Sequence, residues 1–313
     1  MEYRRLGDAG MKVSAVGFGG WINYGEGKVP QDAARQAVEA AHESGINYYD
    51  LADIYGHGKA EEQMGAMLAR YPRHTLVIAT KVYWPMSEDP NDQGLSRKHI
   101  FESIDKSLKR LGTDYVDIYY AHRPDPETPI LETARAMNDL IRTGKVLYWG
   151  TSEWSEEQLR TAYDLCVENM IVPPQVEQPQ FSMLYREPVE TAILPLARGR
   201  GMGVVAWSPL AQGMLTGKYD QGVPQGSRFA KEDWAKQRFF NERNAEKVRQ
   251  LKPIAEELGI TRAQLAIAWI LAQKGVSSAI IGATRPEQVR ENVAAAGIQL
   301  SADVMRRIED VLS

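Results

Sequence analysis

The stretch Ile46–Gly65, INYYDLADIYGHGKAEEQMG, sets the reading of the whole chain. A short apolar run from Ile46 to Tyr49 ends on Asp50. A polar turn with Tyr55, Gly56 and Gly58 follows, and helical patterning starts at Lys59. This is a strand, a loop and a helix, with a carboxylate where the strand ends and a phenol in the loop. Repeated units of this kind imply parallel strands with right-handed crossovers. In barrels built from them, the residues at strand C-termini are the ones placed for chemistry.

The same unit recurs on both sides of that stretch. Tyr3–Leu6 and Met11–Val13 read as a small hairpin, and Val16–Gly19 as a glycine-bounded strand. The helix Gln31–Ser44 stops at Gly45, a C-cap. Strand Tyr48–Asp50 leads to helix Ala60–Arg70, strand Leu76–Val82 to a helix opened by Ser96 and ending at Leu111, and strand Val116–Ala121 to helix Ile130–Arg142. Strand Val146–Ser152 precedes a helix opened by a Ser155-x-x-Gln158 capping box. Gln175–Gln178 and Gly203–Trp207 are strands on either side of a helix over Val189–Arg198. A long irregular connection, Ser208 to Asp233, leads to helices Asn244–Leu258 and Thr261–Gln273. The last strand is Ser277–Gly282, and Pro286 suits the first turn of the final helix.

Eight strand–helix units and no composition break predict one domain over 1–313, a closed (β/α)8 TIM barrel with an N-terminal hairpin and a long loop after the seventh strand. The alternative is an open doubly wound sheet, which should carry a nucleotide fingerprint on its first turn. The nearest candidate, Gly17-Phe-Gly19-Gly-Trp-Ile22, lacks the third glycine and the following acid.

Composition excludes several classes. With 37 basic against 41 acidic side chains and no basic stripe, nucleic acid is a poor partner. The single cysteine, Cys166, precludes an internal disulfide and fits a reducing, cytoplasmic setting. The N-terminus lacks the apolar core of a signal peptide, and no apolar segment is long enough to span a bilayer, so membrane insertion is not expected.

The predicted strand ends carry Asp50 with Tyr55 in its loop, then Lys81, His122, Ser152, Gln178 and Ser208, with Thr284-Arg285 after the last strand. Barrel closure would gather them on one rim. A free phenol has a pKa near ~10 and is a reluctant acid at neutral pH. A neighbouring ammonium, Lys81, would lower it, Asp50 would hold Lys81 charged, and a neutral His122 could donate to a carbonyl. That set suits protonation of an alkoxide as it forms. It contains no metal cluster and no nucleophile pair, and the missing hydride implies a nicotinamide cofactor. Bland readings exist for each residue: an ion pair for Asp50 and Lys81, packing for Tyr55, a core imidazole for His122. Arg70, Arg73 and His74 read as a solvated helix end. Tyr83, Trp84 and Trp154 either line a pocket or cover the rim.

Several segments together resemble the aldo-keto reductase superfamily, and within it the branch of voltage-gated potassium-channel β subunits and their plant and microbial relatives. They are GFGGW (17–21), NYYDLADIYGHGKAE (47–61), ATK (79–81), YVDIYYAHRPDPETPILET (115–133), YWGTSEWS (148–155), WSPLAQGMLTGKYDQG (207–222) and VSSAIIGATRPEQ (276–288). The resemblance implies NADPH-dependent reduction of aldehydes and ketones, with a tetrad at Asp50, Tyr55, Lys81 and His122. It places Gly20, Trp21 and Asp50 beside the cofactor, Ser152 and Gln178 on the nicotinamide carboxamide, and Trp207 near the ring. Ser208, Pro209, Leu210, Ala211 and Gly213 fall on the pyrophosphate segment, and Lys218 and Arg228 on a belt over it. Gly282, Thr284, Arg285, Gln288, Glu291 and Asn292 fall on the adenosine-phosphate end, with Thr284 and Arg285 on the 2′-phosphate. Glu153 stands where animal channel subunits have arginine. The expected partner is a small carbonyl compound. The alternative function is a redox-sensing cytoplasmic subunit that binds NADPH, docks on a potassium channel and turns over slowly. The resemblance also suggests a homotetramer.

Overall fold

The computed structural model describes residues 1–21 and 29–313. Ile22, the last residue of the rejected dinucleotide fingerprint, lies outside them. Strands β1 (Tyr3–Arg5) and β2 (Lys12–Ser14) form an antiparallel hairpin. Eight strands follow: β3 (Val16–Gly19), β4 (Tyr48–Asp50), β5 (Val77–Val82), β6 (Val116–Ala121), β7 (Val146–Ser152), β8 (Val176–Gln178), β9 (Gly203–Trp207) and β10 (Val276–Ile281). They close in the order β10-β3-β4-β5-β6-β7-β8-β9, every neighbour parallel. The chain is a TIM barrel, as the alternation of units predicts. The open sheet is thereby excluded.

The strand period of two decides where the chemistry goes. Tyr48, Ala79, Ile118, Tyr120, Val176 and Val205 pack together inside the barrel. One more step of two along each strand reaches Asp50 on β4, Lys81 on β5, His122 just past β6, Gln178 on β8 and Trp207 on β9. These residues therefore share the inward phase and crown the core at the strand C-termini. Gly150, two residues before Ser152, has no room for a side chain: a Cβ there would lie 2.4 Å from Val176 Cγ1 and 3.0 Å from Tyr120. The hairpin plugs the opposite end, where Leu6 and Val13 are fully buried in the same interior cluster.

Several elements differ from the sequence reading. The helix expected over Val189–Arg198 begins as a π-helical turn, Val189–Ile193, and becomes α-helical over Leu194–Arg200. Pro195 has no amide to donate, and the chain ahead of it bonds five residues back, Ile193 N to Pro188 O at 3.2 Å. Pro253 likewise splits the expected Asn244–Leu258 helix into Glu242–Gln250 and Lys252–Glu257. The connection after β9 is not wholly irregular. It contains a 3₁₀ segment, Ala211–Thr216, and the helix Arg228–Lys231, and Asp233–Phe239 continues it. A C-terminal helix, Ala302–Leu312, had no counterpart in the sequence reading, although Ser301 caps it and Val304, Ile308 and Leu312 recur at i, i+4. Arg73 is not solvated: it donates to Asp117 Oδ2 at 2.7 Å and stacks 4.0 Å over Tyr115.

The hairpin plug has a strict requirement at Gly7. Its φ is +58°, and a Cβ would sit 2.3 Å from Gly201 O. Gly7→Ala is expected to cost at least about 2 kcal/mol in urea unfolding. Gly10→Ala, where no atom lies within 4 Å of a Cβ, is the control and should change stability by less than about 0.5 kcal/mol.

Candidate active site

The inward phase brings the four predicted catalytic side chains together. Lys81 is fully buried, and its Nζ donates to Asp50 Oδ2 at 2.6 Å, to Leu51 O at 2.7 Å and to the Tyr55 hydroxyl at 3.2 Å. Gln178 Nε2 donates to Asp50 Oδ1 at 2.8 Å. Tyr48 OH reaches the same oxygen at 3.4 Å and the Tyr120 hydroxyl at 3.0 Å. His122 presents its ring at 75° to Tyr55, with centroids 5.8 Å apart, and its buried Nδ1 has no partner among the described residues.

Burial sets the protonation states. Burial first, then the charges of Lys81 and Arg123, hold the His122 imidazole well below its usual range, so it is neutral at pH 7. Burial also lowers the Lys81 ammonium from 10.5, against the opposing pull of Asp50. The Tyr55 phenol departs from expectation. It is raised well above 10, by burial and then by the Asp50 charge, with Arg123 opposing. The neighbouring Lys81 ammonium does not bring it down: burial and the Asp50 charge outweigh the cations around it. The phenol is therefore protonated throughout the physiological range, with an ammonium donating to its oxygen.

The rim above is aromatic. Trp21 stands 6.4 Å from Tyr55, 5.7 Å edge-on from Trp207 and 5.6 Å from Trp234. Trp84 stands 6.4 Å from His122, with Tyr83 against it at 5.1 Å. Trp154 does not join them. It is buried in a separate groove of about 320 Å³ with Leu95, Pro124 and Thr133.

The expected cofactor residues fall in several places at the C-terminal end of the barrel. Gly20 N donates to Asp50 O at 2.9 Å, which sets Trp21 at the barrel mouth. Ser152 Oγ donates to Gln178 O at 2.9 Å, so these two lie side by side on the rim. Trp207 Nε1 donates to Glu153 Oε1 at 2.9 Å, and Gln180 N donates to the same oxygen at 2.6 Å. Glu153 has φ +60° and pins the indole, a role the sequence did not disclose.

The segment from Ser208 to Gly213, expected at the pyrophosphate, is a tight turn. Ser208, Ala211, Gln212 and Gly213 all have positive φ, and the turn is closed on itself: Ala211 N donates to Ser208 O and Gly213 N to Leu210 O, both at 2.9 Å, and Gln212 N to Ser208 Oγ at 3.3 Å. Pro209 and Leu210 complete the turn. A Cβ at Gly213 would sit 2.7 Å from Lys218 Nζ, so that ammonium lies directly against the turn. Arg228 Nη1 donates to Gln212 Oε1 at 2.5 Å. Partial burial, then the Arg228 charge, lowers the Lys218 ammonium, and burial lowers the Arg228 guanidinium. Two mutually repelling cations beside this turn fit a polyanion. At the far end, Gln288 Oε1 accepts from Thr284 N at 2.9 Å and Oγ1 at 3.2 Å. Gly282, Arg285 and Glu291 are exposed and Asn292 is buried. No group of side chains among the described residues could hold a metal.

Sequence reasoning missed two further groups. Arg123 follows His122, where a rule that stops at the first polar residue passes over it. Asp53 is fully buried beneath the Tyr55 loop, accepting from Ile54 N at 2.6 Å and Ser103 Oγ at 2.9 Å.

A barrel with this constellation at its mouth defines a class, and the comparisons agree on it. The chain belongs to the aldo/keto reductase family, whose family model matches residues 15–313. It is 46% identical over 319 residues to a probable voltage-gated potassium channel subunit beta of Arabidopsis thaliana, covering 100% of this chain and 97% of that protein. A protein of the same name from Oryza sativa subsp. japonica is 44% identical over the same coverage.

Asp53 generates a stability prediction. Burial and the Glu61 charge push its carboxyl up from 3.8 to about 7. In that window the folded chain keeps a proton that the unfolded chain has lost, so stability falls as pH rises through it. Asp53→Asn removes this contribution. The loss of Tm between pH 5 and pH 7.5 should be smaller in the variant, by calorimetry.

Proposed function

We propose that the protein reduces aldehydes and ketones to alcohols with NADPH. The observation that carries this reading is the protonated Tyr55 hydroxyl 3.2 Å from the Lys81 ammonium, at the mouth of the barrel. When bound, the cofactor supplies the hydride. The chain's own residues do the rest. A neutral His122 donates a hydrogen bond to the substrate carbonyl and fixes its orientation. Tyr55 gives its proton to the oxygen as negative charge develops there, and Lys81 stabilises the phenolate left behind. Asp50 keeps Lys81 charged against burial. Trp21, Trp207 and Trp84 exclude water and offer flat apolar surface, which suits aromatic or apolar substrates.

In the same reading, Ser152 and Gln178 hold the nicotinamide carboxamide and Trp207, pinned by Glu153, stacks near the ring. Lys218, Arg228 and the 208–213 turn hold the pyrophosphate. Thr284 and Arg285 face the 2′-phosphate, with Gly282, Gln288, Glu291 and Asn292 around the adenosine. An exposed arginine at a helix N-terminus is what a phosphate needs and a bare ribose hydroxyl does not. The preference for NADPH over NADH follows. Residues 1–313 act as one domain.

A second reading is favoured by the names of the two plant relatives: a cytoplasmic channel subunit, assembled as a homotetramer, that binds NADPH and turns over slowly. No helix among the described residues is long and apolar enough to cross a membrane, so contact with a channel would be by docking. A light-scattering mass tests the tetramer.

Tyr55→Phe should lower kcat for aldehyde reduction by about 10²–10⁴-fold, with NADPH affinity by fluorescence within about twofold of wild type. Equal turnover by both proteins would remove Tyr55 as the acid. Arg285→Ala should weaken NADPH by about tenfold or more and NADH little. An equal loss for both cofactors would contradict the assignment.

A further inference from the structure

We propose that Arg123 is a specificity-determining residue that selects carbonyl substrates bearing a carboxylate, a proposal that rests on the reductase reading. Arg123 Nη1 donates to His122 O at 2.5 Å and to Ser152 Oγ at 3.4 Å. Its Nε and Nη2 make no hydrogen bond among the described residues. Most half-buried arginines elsewhere are paired with a carboxylate. Arg73 pairs with Asp117, Arg110 with Glu61, Arg186 with Glu190 and Arg262 with Asp220. Arg123 has no acidic side chain within ion-pair distance among the described residues. A guanidinium half removed from water, with unused donors and no counter-charge, presents a planar fork that matches a carboxylate.

Its place in the mouth gives the fork a purpose. Trp84 bridges the two ends of the site, its ring 6.4 Å from the His122 ring and 5.7 Å from the Arg123 guanidinium carbon. A substrate lying along this indole would put its carbonyl at Tyr55 and His122 and an anionic end at Arg123. Nη1 is already fixed by the His122 carbonyl and the Ser152 hydroxyl, so little side-chain freedom is lost on binding. The charge reaches the catalytic groups as well: it opposes the rise of the Tyr55 phenol and adds to the lowering of His122. The flat Trp84 indole between the two ends suits a flat spacer. The substrate class is therefore an aromatic or short-chain oxo-carboxylate, and neutral carbonyl compounds of the same shape are the poorer substrates.

The test compares para-carboxybenzaldehyde with its methyl ester, using the full chain and NADPH. Wild type should favour the acid in kcat/KM by about tenfold or more, the worth of a hydrogen-bonded charge. The preference should lie mainly in KM. Arg123→Leu should bring the ratio to about one, and Arg123→Lys should restore part of it. Equal kcat/KM for acid and ester in wild type overturns the proposal. So does an Arg123→Leu variant that keeps the ratio but loses NADPH affinity, which would make Arg123 a cofactor residue. Benzoate binding to the NADPH-loaded protein, by fluorescence, is read in the same samples. If neither aldehyde is reduced, the reductase reading fails on its own. The Arg123 assignment then stands if benzoate binds wild type at least about tenfold more tightly than Arg123→Leu, and falls if the two are alike.

Discussion

The ion pair between Lys81 and Asp50 is the constraint on which the rest of the structure depends. Its atoms are 2.6 Å apart, and the two side chains are 0% and 4% exposed. Removing two charges from water costs several kcal/mol for each, and their attraction offsets this only when the remaining donors and acceptors are also satisfied. Here they are. The ammonium reaches Leu51 O and the Tyr55 hydroxyl, and the carboxylate accepts from Gln178 and Tyr48. Those partners come from β4, β5, β8 and the loop after β4. β4 and β5 are neighbours, but Gln178 on β8 meets Asp50 only because the barrel closes, so the polar crown and the fold specify one another.

That arrangement explains why the phenol is not acidic at rest. A bare ammonium would draw the proton off. Burial, and after it the Asp50 charge, keeps the phenol protonated, which is the state a proton donor needs. The ammonium becomes effective as the proton departs, because new negative charge then develops 3.2 Å from Nζ in a site sheltered from water. A neutral His122 fits the same logic: an imidazolium beside Lys81 and Arg123 would be a third positive charge in one small volume. Further along the rim, Lys218 lies against the 208–213 turn, where the proposed function puts the cofactor phosphates. Arg123 leaves positive charge where the proposed substrate would lie.

Much of this was legible in the sequence. β4 was read to the residue, because an apolar run ending on an acid and then a glycine turn leaves no other register. That Asp50, Lys81 and His122 would come together was legible because strand ends can be counted, and the capping boxes at Ser155 and Thr261 form as read. What escaped was set by atoms remote in the chain. The breaks at Pro195 and Pro253 depend on whether packing tolerates a missing amide. The C-terminal helix was legible in its Ser301 cap and apolar spacing, and was overlooked. Glu153 could not be paired with Trp207, 54 positions on, without the barrel. Asp53 was passed over in the turn, and only its burial beside Glu61 raises it to about 7. The direction of the Tyr55 shift was misread for the same reason: sequence places an ammonium nearby but not the depth of burial that outweighs it.

The central claim is that Lys81 acts through the Tyr55 phenol as one unit. A double-mutant cycle tests it most directly. Single-turnover rates of aldehyde reduction would be measured for Lys81→Met, Tyr55→Phe and the pair, in folded protein loaded with NADPH. If the ammonium serves the phenolate, the double variant should be no slower than the slower single variant, within about threefold. Losses that multiply would mean that the two groups act separately, and the account of the site would not survive.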